Sequence, residues 1–315
     1  MTNFLSILRR LAFVLLALSP LLAQSAPDTT VRIGYQKSST LITILKARGT
    51  LEKELAPLGV KVSWHEFASG LPLLEALNVG AVDVSADVAD TVPVFALAAG
   101  AQLTYIAQET PSPTAQAIVV KADSPIRTVA DLKGKRVGFA KGAGAHYLLL
   151  AALAKAGLSL SDIQPEYLAP ADGRAAFARG AIDAWVIWDP FLTAVERASG
   201  ARILQDGSGG LAAYQRYYLA STPFAKARPD VIKVIVHALE KTGKWVKRSP
   251  AQAAAVLAPV WGLDAATVEE ADSHRSYDVR AVTPESLKEE QKIADAFFAQ
   301  GLLPKKVDVT AAPVF

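Results

Sequence analysis

The sequence predicts an α/β protein of two doubly wound lobes with a ligand cleft between them. Two observations carry this. The segment Arg32-Ile33-Gly34-Tyr35-Gln36-Lys37 returns 104 residues later as Arg136-Val137-Gly138-Phe139-Ala140-Lys141, and Gly80-Ala81-Val82-Asp83 returns after 100 residues as Gly180-Ala181-Ile182-Asp183. A repeat of that length is a lobe rather than a short stacking unit. Each copy also alternates short apolar strands with apolar helices, the pattern of a parallel sheet covered on both faces. Small ligands bind in clefts between such lobes.

The first element is outside the fold. Arg9-Arg10 precedes an apolar run over 11–18, and small residues follow at Ala23 and Ser25. A basic start, a short apolar core and a small-residue end describe a secretory signal peptide over residues 1–25, followed by export to the periplasm. The run falls short of the roughly 20 apolar residues that span a bilayer. The chain has no cysteine, so a lipoprotein anchor at the cleavage site is excluded. Without its signal the chain carries 31 basic and 30 acidic residues, a balance of +1. A nearly neutral chain has no global attraction for nucleic acid.

In the first lobe, 31–35 reads as a strand, 39–48 as a helix stopped at Gly49, and 60–67 as a strand with period-two alternation. Residues 73–79 read as a helix and 81–86 as a strand. Asp90 reads as the N-cap of a helix over 91–99, before a strand over 103–108. Pro111-Ser112-Pro113 breaks the pattern and begins a crossing to the second lobe. There 117–121, 136–140, 163–168, 182–188, 201–204 and 216–220 read as strands, with helices over 145–156 and 171–179. The remainder is mostly helical. The expected division is lobe one over 26–114 and 221–315, and lobe two over 115–220.

In an open parallel sheet the ligand lies beyond the carboxyl ends of the strands. Lobe one places Gln36, Lys37, Ser38, Ser39 and Thr40 there. Lobe two places Lys141, Gly142, Ala143, Gly144, Ala145 and His146. The first N–H groups of a helix lack intrahelical partners and carry about half a positive charge, so two such ends suit a compact oxyanion. For either loop alone, a purely structural turn explains the residues equally well; the matched pair points to a site. Trp188 ends a strand at the same level and serves either as core or as a wall for an organic tail. Tyr217 is a second candidate wall. His274-Arg275 falls in a polar break between helices, either a solvated loop or a cover over the ligand. Gly142-Ala143-Gly144 lacks the third glycine of a dinucleotide fingerprint. No catalytic motif, metal-ligand spacing or cofactor signature is found.

Several segments resemble the aliphatic sulfonate-binding proteins of ABC importers: 32–37, 74–80, 128–133, Pro170-Ala171-Asp172, Asp183-Ala184-Trp185, Trp188-Asp189-Pro190 and 304–308. The resemblance implies a type II periplasmic binding protein fold, with two crossings and with C-terminal helices returned to lobe one. It implies an alkanesulfonate or related small oxyanion as ligand and an inner-membrane ABC permease as partner, and a monomer is expected. It also implies that the loop at Gln36, Asp90-Thr91, residues Gly142 to His146 and Trp188 surround the sulfonate, with Ser38, Tyr217 and Arg275 as further candidates. Alternatives within the architecture are receptors for nitrate, taurine or a thiamine precursor, or an enzyme similar to thiamine-pyrimidine synthases. One departure stands out. Relatives carry a Ser/Thr-Gly-Asp loop where this chain has Ser85-Ala86-Asp87-Val88-Ala89-Asp90, which adds an acid at Asp87. An acid facing the ligand would disfavour dianions such as sulfate.

Overall fold

The computed structural model describes residues 29–315, and the expected signal segment lies outside them. Strand β1 (Thr29–Gln36) runs parallel to β2 (Val60–Phe67) and β3 (Val84–Ala89). Helices α1 (Thr40–Arg48) and α2 (Thr50–Leu55) join the first two strands, and α3 (Gly70–Asn78) leads to the third. Between α1 and α2, Gly49 takes φ of 59°, the left-handed conformation that lets one helix stop and another begin. Helix α4 (Thr91–Ala98) then leads to β4 (Leu103–Glu109).

The chain crosses through residues 110–115 into β5 (Gln116–Val120). The second lobe continues with β6 (Arg136–Phe139), α5 (Gly144–Lys155), β7 (Gln164–Tyr167) and α6 (Pro170–Ala178). It closes with β8 (Ala184–Trp188), α7 (Phe191–Ser199) and β9 (Arg202–Asp206). Residues 207–215 return the chain to β10 (Arg216–Ser221). Helices α8 (Thr222–Ala227), α9 (Pro229–Arg248), α10 (Pro250–Trp261) and α11 (Ala265–Ser273), the two-residue β11 (Val279–Arg280) and α12 (Pro284–Ala299) complete the first lobe.

Two sheets result, ordered β11-β4-β10-β3-β1-β2 and β7-β6-β8-β5-β9. They are mixed rather than all-parallel. Strand β10 runs antiparallel to β3 and β4, and β5 antiparallel to β8 and β9. The reason is geometric: a strand entering a lobe from a crossing starts at the carboxyl ends of the parallel strands and must run away from them. Because β10 pairs within the first sheet, the return crossing ends before Arg216. The expected boundary at residue 220 is therefore corrected, and 216–220 belong to the first lobe. Strand β3 also starts later than expected, at Val84, because Ala81 to Asp83 form the turn that binds Arg32.

That turn explains the repeat. Asp83 accepts from the backbone N–H and Nε of Arg32 at 2.8 and 2.9 Å, while Arg32 Nη1 donates to the Gly80 carbonyl at 2.6 Å. In the second lobe Asp183 accepts from the backbone N–H and Nε of Arg136 at 2.8 and 3.1 Å, and Arg136 Nη2 reaches the Gly180 carbonyl at 2.9 Å. Both clasps sit at the amino ends of their sheets, opposite the cleft.

One apolar cluster runs from the second lobe into the α3–α4–α12 side of the first, through Leu148, Val92 and Phe297. A second cluster fills the opposite face, beneath α1, α9 and α10. Neither lobe is free of the other.

Candidate functional site

Helices α1, α4, α5 and α7 each follow a strand carboxyl end, so their starts point into the space between the sheets. The starts of α4 and α5, from different lobes, come into contact. A methyl group at Gly144 would stand 3.1 Å from Cβ of Ala89 and 2.7 Å from the Tyr214 ring. Gly144 is thus fixed as glycine by close approach, not by backbone conformation. Gly142 has φ of 71°, and a Cβ there would lie 3.4 Å from Leu71 and Phe95 of the first lobe. Ala143 is the N-cap of α5, and Ala145 is fully buried in its first turn.

Asp90 occupies the N-cap position of α4, but its side chain does not cap the helix. Its carboxylate instead accepts from the backbone N–H of Gln215 at 3.0 Å, tying the start of α4 to the return crossing. Burial pushes its pKa from 3.8 up to about 7, against the opposing hydrogen bonds from Gln215 and Thr91. Next to it, the Thr91 hydroxyl is buried with no hydrogen-bond partner among the described residues. A buried hydroxyl without a partner is costly and points to a group it could serve.

From the α1 side, Ser38 Oγ accepts from the indole N–H of Trp188 at 3.3 Å, and both residues are buried. This bond links the lobes directly. Gln36 has a different engagement from the one expected: its amide donates to the Asp87 carbonyl at 2.9 Å, bracing β1 against the end of β3. His146 is also reassigned. Its Nδ1 accepts from the backbone N–H of Gly142 at 3.2 Å, and its ring packs against Phe139 and Phe297. Burial, with Lys141 nearby, pushes its pKa down to about 3, so it is a neutral brace for the Gly142 turn.

Tyr217 faces α12. Its hydroxyl donates to the Ser286 carbonyl at 3.1 Å, and its ring meets Tyr105 edge-on at 5.0 Å. It borders a cavity of about 330 Å³ between the return crossing and α12, together with Asp90, Tyr147 and Glu290. The tyrosine at the cleft is Tyr214, held at φ of 50° and packed on Gly144. Side chains other than Asn, Asp and Gly rarely adopt that conformation, so its surroundings impose it.

Arg275 is buried beneath the cleft and covers nothing. Its guanidinium donates to Glu109 at 2.7 Å and to Asp87 at 3.1 Å. Arg216 pairs with the same Asp87 carboxylate and donates to the Tyr214 hydroxyl at 2.7 Å. All four charged side chains are at most 3% exposed. Two cations thus neutralise two anions, so Asp87 adds no net negative charge to the cleft. Arg216 and Tyr214 are the residues sequence reasoning missed. A lone arginine at the edge of an otherwise apolar strand was the available signal, since a buried charge needs a partner. Among the described residues no group of three or more His, Asp or Glu side chains is placed to hold a metal ion.

The family model described as NMT1/THI5 like matches residues 56–253. A protein of Escherichia coli (strain K12) named for aliphatic sulfonate binding is 42% identical over 288 residues, covering 91% of this chain and 89% of that protein. The structure of the alkanesulfonate-binding protein SsuA from Xanthomonas axonopodis pv. citri bound to MOPS superposes with a TM-score of 0.86 at 42% identity, covering 92% of this chain and 99% of that one. The periplasmic aliphatic sulphonate binding protein SsuA from Escherichia coli gives a TM-score of 0.82 at 42% identity, covering 90% and 97%.

Proposed function

The chain belongs to the NMT1/THI5-like family and groups within it with the aliphatic sulfonate-binding proteins, and from that premise we propose how its cleft captures a sulfonate. It is a periplasmic-type solute receptor rather than an enzyme, and its ligand is an aliphatic sulfonate destined for ABC import. The full chain is exported by residues 1–25, acts as a monomer and passes its ligand to an inner-membrane permease.

A sulfonate is a singly charged tetrahedral anion whose three oxygens are weak acceptors. It is held best by several modest donors in a site without a strong competing charge. The starts of α4 and α5 supply backbone N–H groups and the partial positive charge of two helix ends. The Thr91 hydroxyl supplies a side-chain donor, and its buried, unpartnered state is the observation that carries the proposal. Trp188 and Tyr214 form the apolar walls for the organic tail. The arginines below are committed to Asp87 and Glu109, so they favour no second negative charge on the ligand. Ligand groups that touch α4 and α5 together exist only with the lobes closed, so binding and closure are one equilibrium.

Calorimetry with pentanesulfonate, MOPS, taurine, sulfate, nitrate and a thiamine precursor tests this. Sulfonates are expected to bind, with sulfate and nitrate much weaker. Tight binding of another class with no response to any sulfonate contradicts the ligand assignment.

A further inference from the structure

On the flank away from α12, two polar pairs bridge the lobes without belonging to the cleft floor. His274 Nδ1, at the carboxyl end of α11, lies 2.7 Å from Asp189 Oδ2, just beyond β8. Beside it Arg197 of α7 donates to Glu270 of α11 at 2.8 Å. Helix α11 packs on α10 in the first lobe and meets α7 of the second. Asp189 is fixed in its own lobe, because its other oxygen accepts from Thr193 N–H and Oγ1 at 3.0 and 2.6 Å. It cannot follow His274 when the lobes part.

Resting on the receptor function above, we propose that His274 and Asp189, supported by Arg197 and Glu270, form a closure latch that sets how tightly ligand is retained, engaged when His274 is protonated. The surroundings favour the imidazolium. His274 faces Asp189 and Glu196 across the seam and Glu270 on its own helix, and it stands at a helix carboxyl end, where positive charge is favoured. The cations close by are already paired or turned elsewhere: Arg197 to Glu270, Arg275 to Glu109, and Lys247 to the Arg275 carbonyl. Asp272, two residues back, accepts from Tyr277 and Thr40. The hydrogen bond to Asp189 first, then its charge, raises the His274 pKa in the closed form.

The sign follows from linkage. The closed form holds the proton more tightly than the open form, so protons and ligand favour the same state, each raising affinity for the other. Ligand affinity is highest below the open-form pKa of His274 and falls as pH rises through the closed-form value.

The test is calorimetry with pentanesulfonate, which stays ionised throughout, at pH 6 and pH 8. Wild type is expected to bind about five-fold tighter at pH 6. His274→Gln keeps a donor but cannot titrate, so its ratio should fall towards one. Asp90 and Asp272, with pKa values of about 7 and about 6, titrate in both proteins, so the difference between them isolates His274. Arg197→Gln, at an exposed pair, should weaken binding about two-fold at pH 6 and pH 8 without lowering the ratio, since it leaves Glu270 unpaired beside His274. A His274→Gln protein that binds the sulfonate with the wild-type ratio overturns the latch and leaves the receptor function standing. A wild type that binds no sulfonate at either pH overturns that function, and the latch with it.

Discussion

The indole N–H of Trp188 donates to Ser38 Oγ across the two lobes, 3.3 Å away, with both side chains buried. A single bond of this kind contributes about 1 kcal/mol net, and here it joins the two lobes. Trp188→Phe keeps most of the apolar wall and loses the bond. It should weaken pentanesulfonate binding about five-fold in calorimetry, while Trp188→Ala should cost considerably more. Equal affinity for Trp188→Phe and wild type would mean that the bond plays no part in closure.

Thr91 gives a sharper contrast. Its hydroxyl is buried and unpartnered, so Thr91→Val should leave the ligand-free protein at least as stable. The same change removes a donor to an anion, worth about 1.5–3 kcal/mol, so sulfonate affinity should drop more than ten-fold. Thermal melting without ligand and calorimetry with ligand separate the two effects. A variant that is less stable yet binds normally would assign Thr91 to the fold alone.

The Asp87–Arg216–Arg275–Glu109 cluster serves stability rather than ligand binding. Arg275→Met leaves two buried carboxylates facing one cation and should cost about 3–5 kcal/mol in chemical denaturation. Adding Glu109→Gln restores the charge balance and should recover part of that loss. A cost below about 1 kcal/mol for Arg275→Met would show that the charges are not held as a unit.

Asp90 predicts a pH dependence of stability. Its folded pKa of about 7 lies above the ordinary 3.8, so the folded protein holds this proton more tightly than the unfolded chain. The associated stability is fully present below pH 3.8 and is lost as pH rises through about 7. Asp90→Asn keeps an acceptor for Gln215 and carries no charge. It should melt near wild type at pH 4 and higher than wild type at pH 8, by up to about 4 kcal/mol in stability. A difference that does not change with pH would contradict the raised pKa.

The repeat that exposes two lobes in the sequence turns out to be a clasp. Arg32 with Asp83, and Arg136 with Asp183, bind at the sheet ends far from the cleft. The helix starts legible from the same repeat do lie between the sheets, because strand direction alone fixes the end at which each loop emerges. Individual roles were less legible. Gln36 has the chemistry of a ligand donor, yet the Asp87 carbonyl engages its amide first, and His146 spends its acceptor nitrogen on the Gly142 N–H inside an aromatic packing site. Arg216 carried a signal as a lone charge on an apolar strand, but its partners could not be named, because they lie on β3 and in the return crossing and meet it only through a strand inserted antiparallel into a sheet read as parallel. Ten of the eleven strands followed from the sequence pattern, all but the two-residue β11, whereas the direction of β5 and β10 depended on crossings that no local pattern encodes.

On the proposed reading the anion sits where α4 and α5 meet, between the lobes. A crystal structure of the protein with pentanesulfonate tests it most directly. Sulfonate oxygens are expected within hydrogen-bond distance of Thr91 Oγ1 and of backbone N–H groups in the first turn of α5, with the pentyl chain against Trp188 or Tyr214. A sulfonate bound instead in the cavity beside Tyr217 and Glu290, or outside the interlobe space altogether, would contradict it.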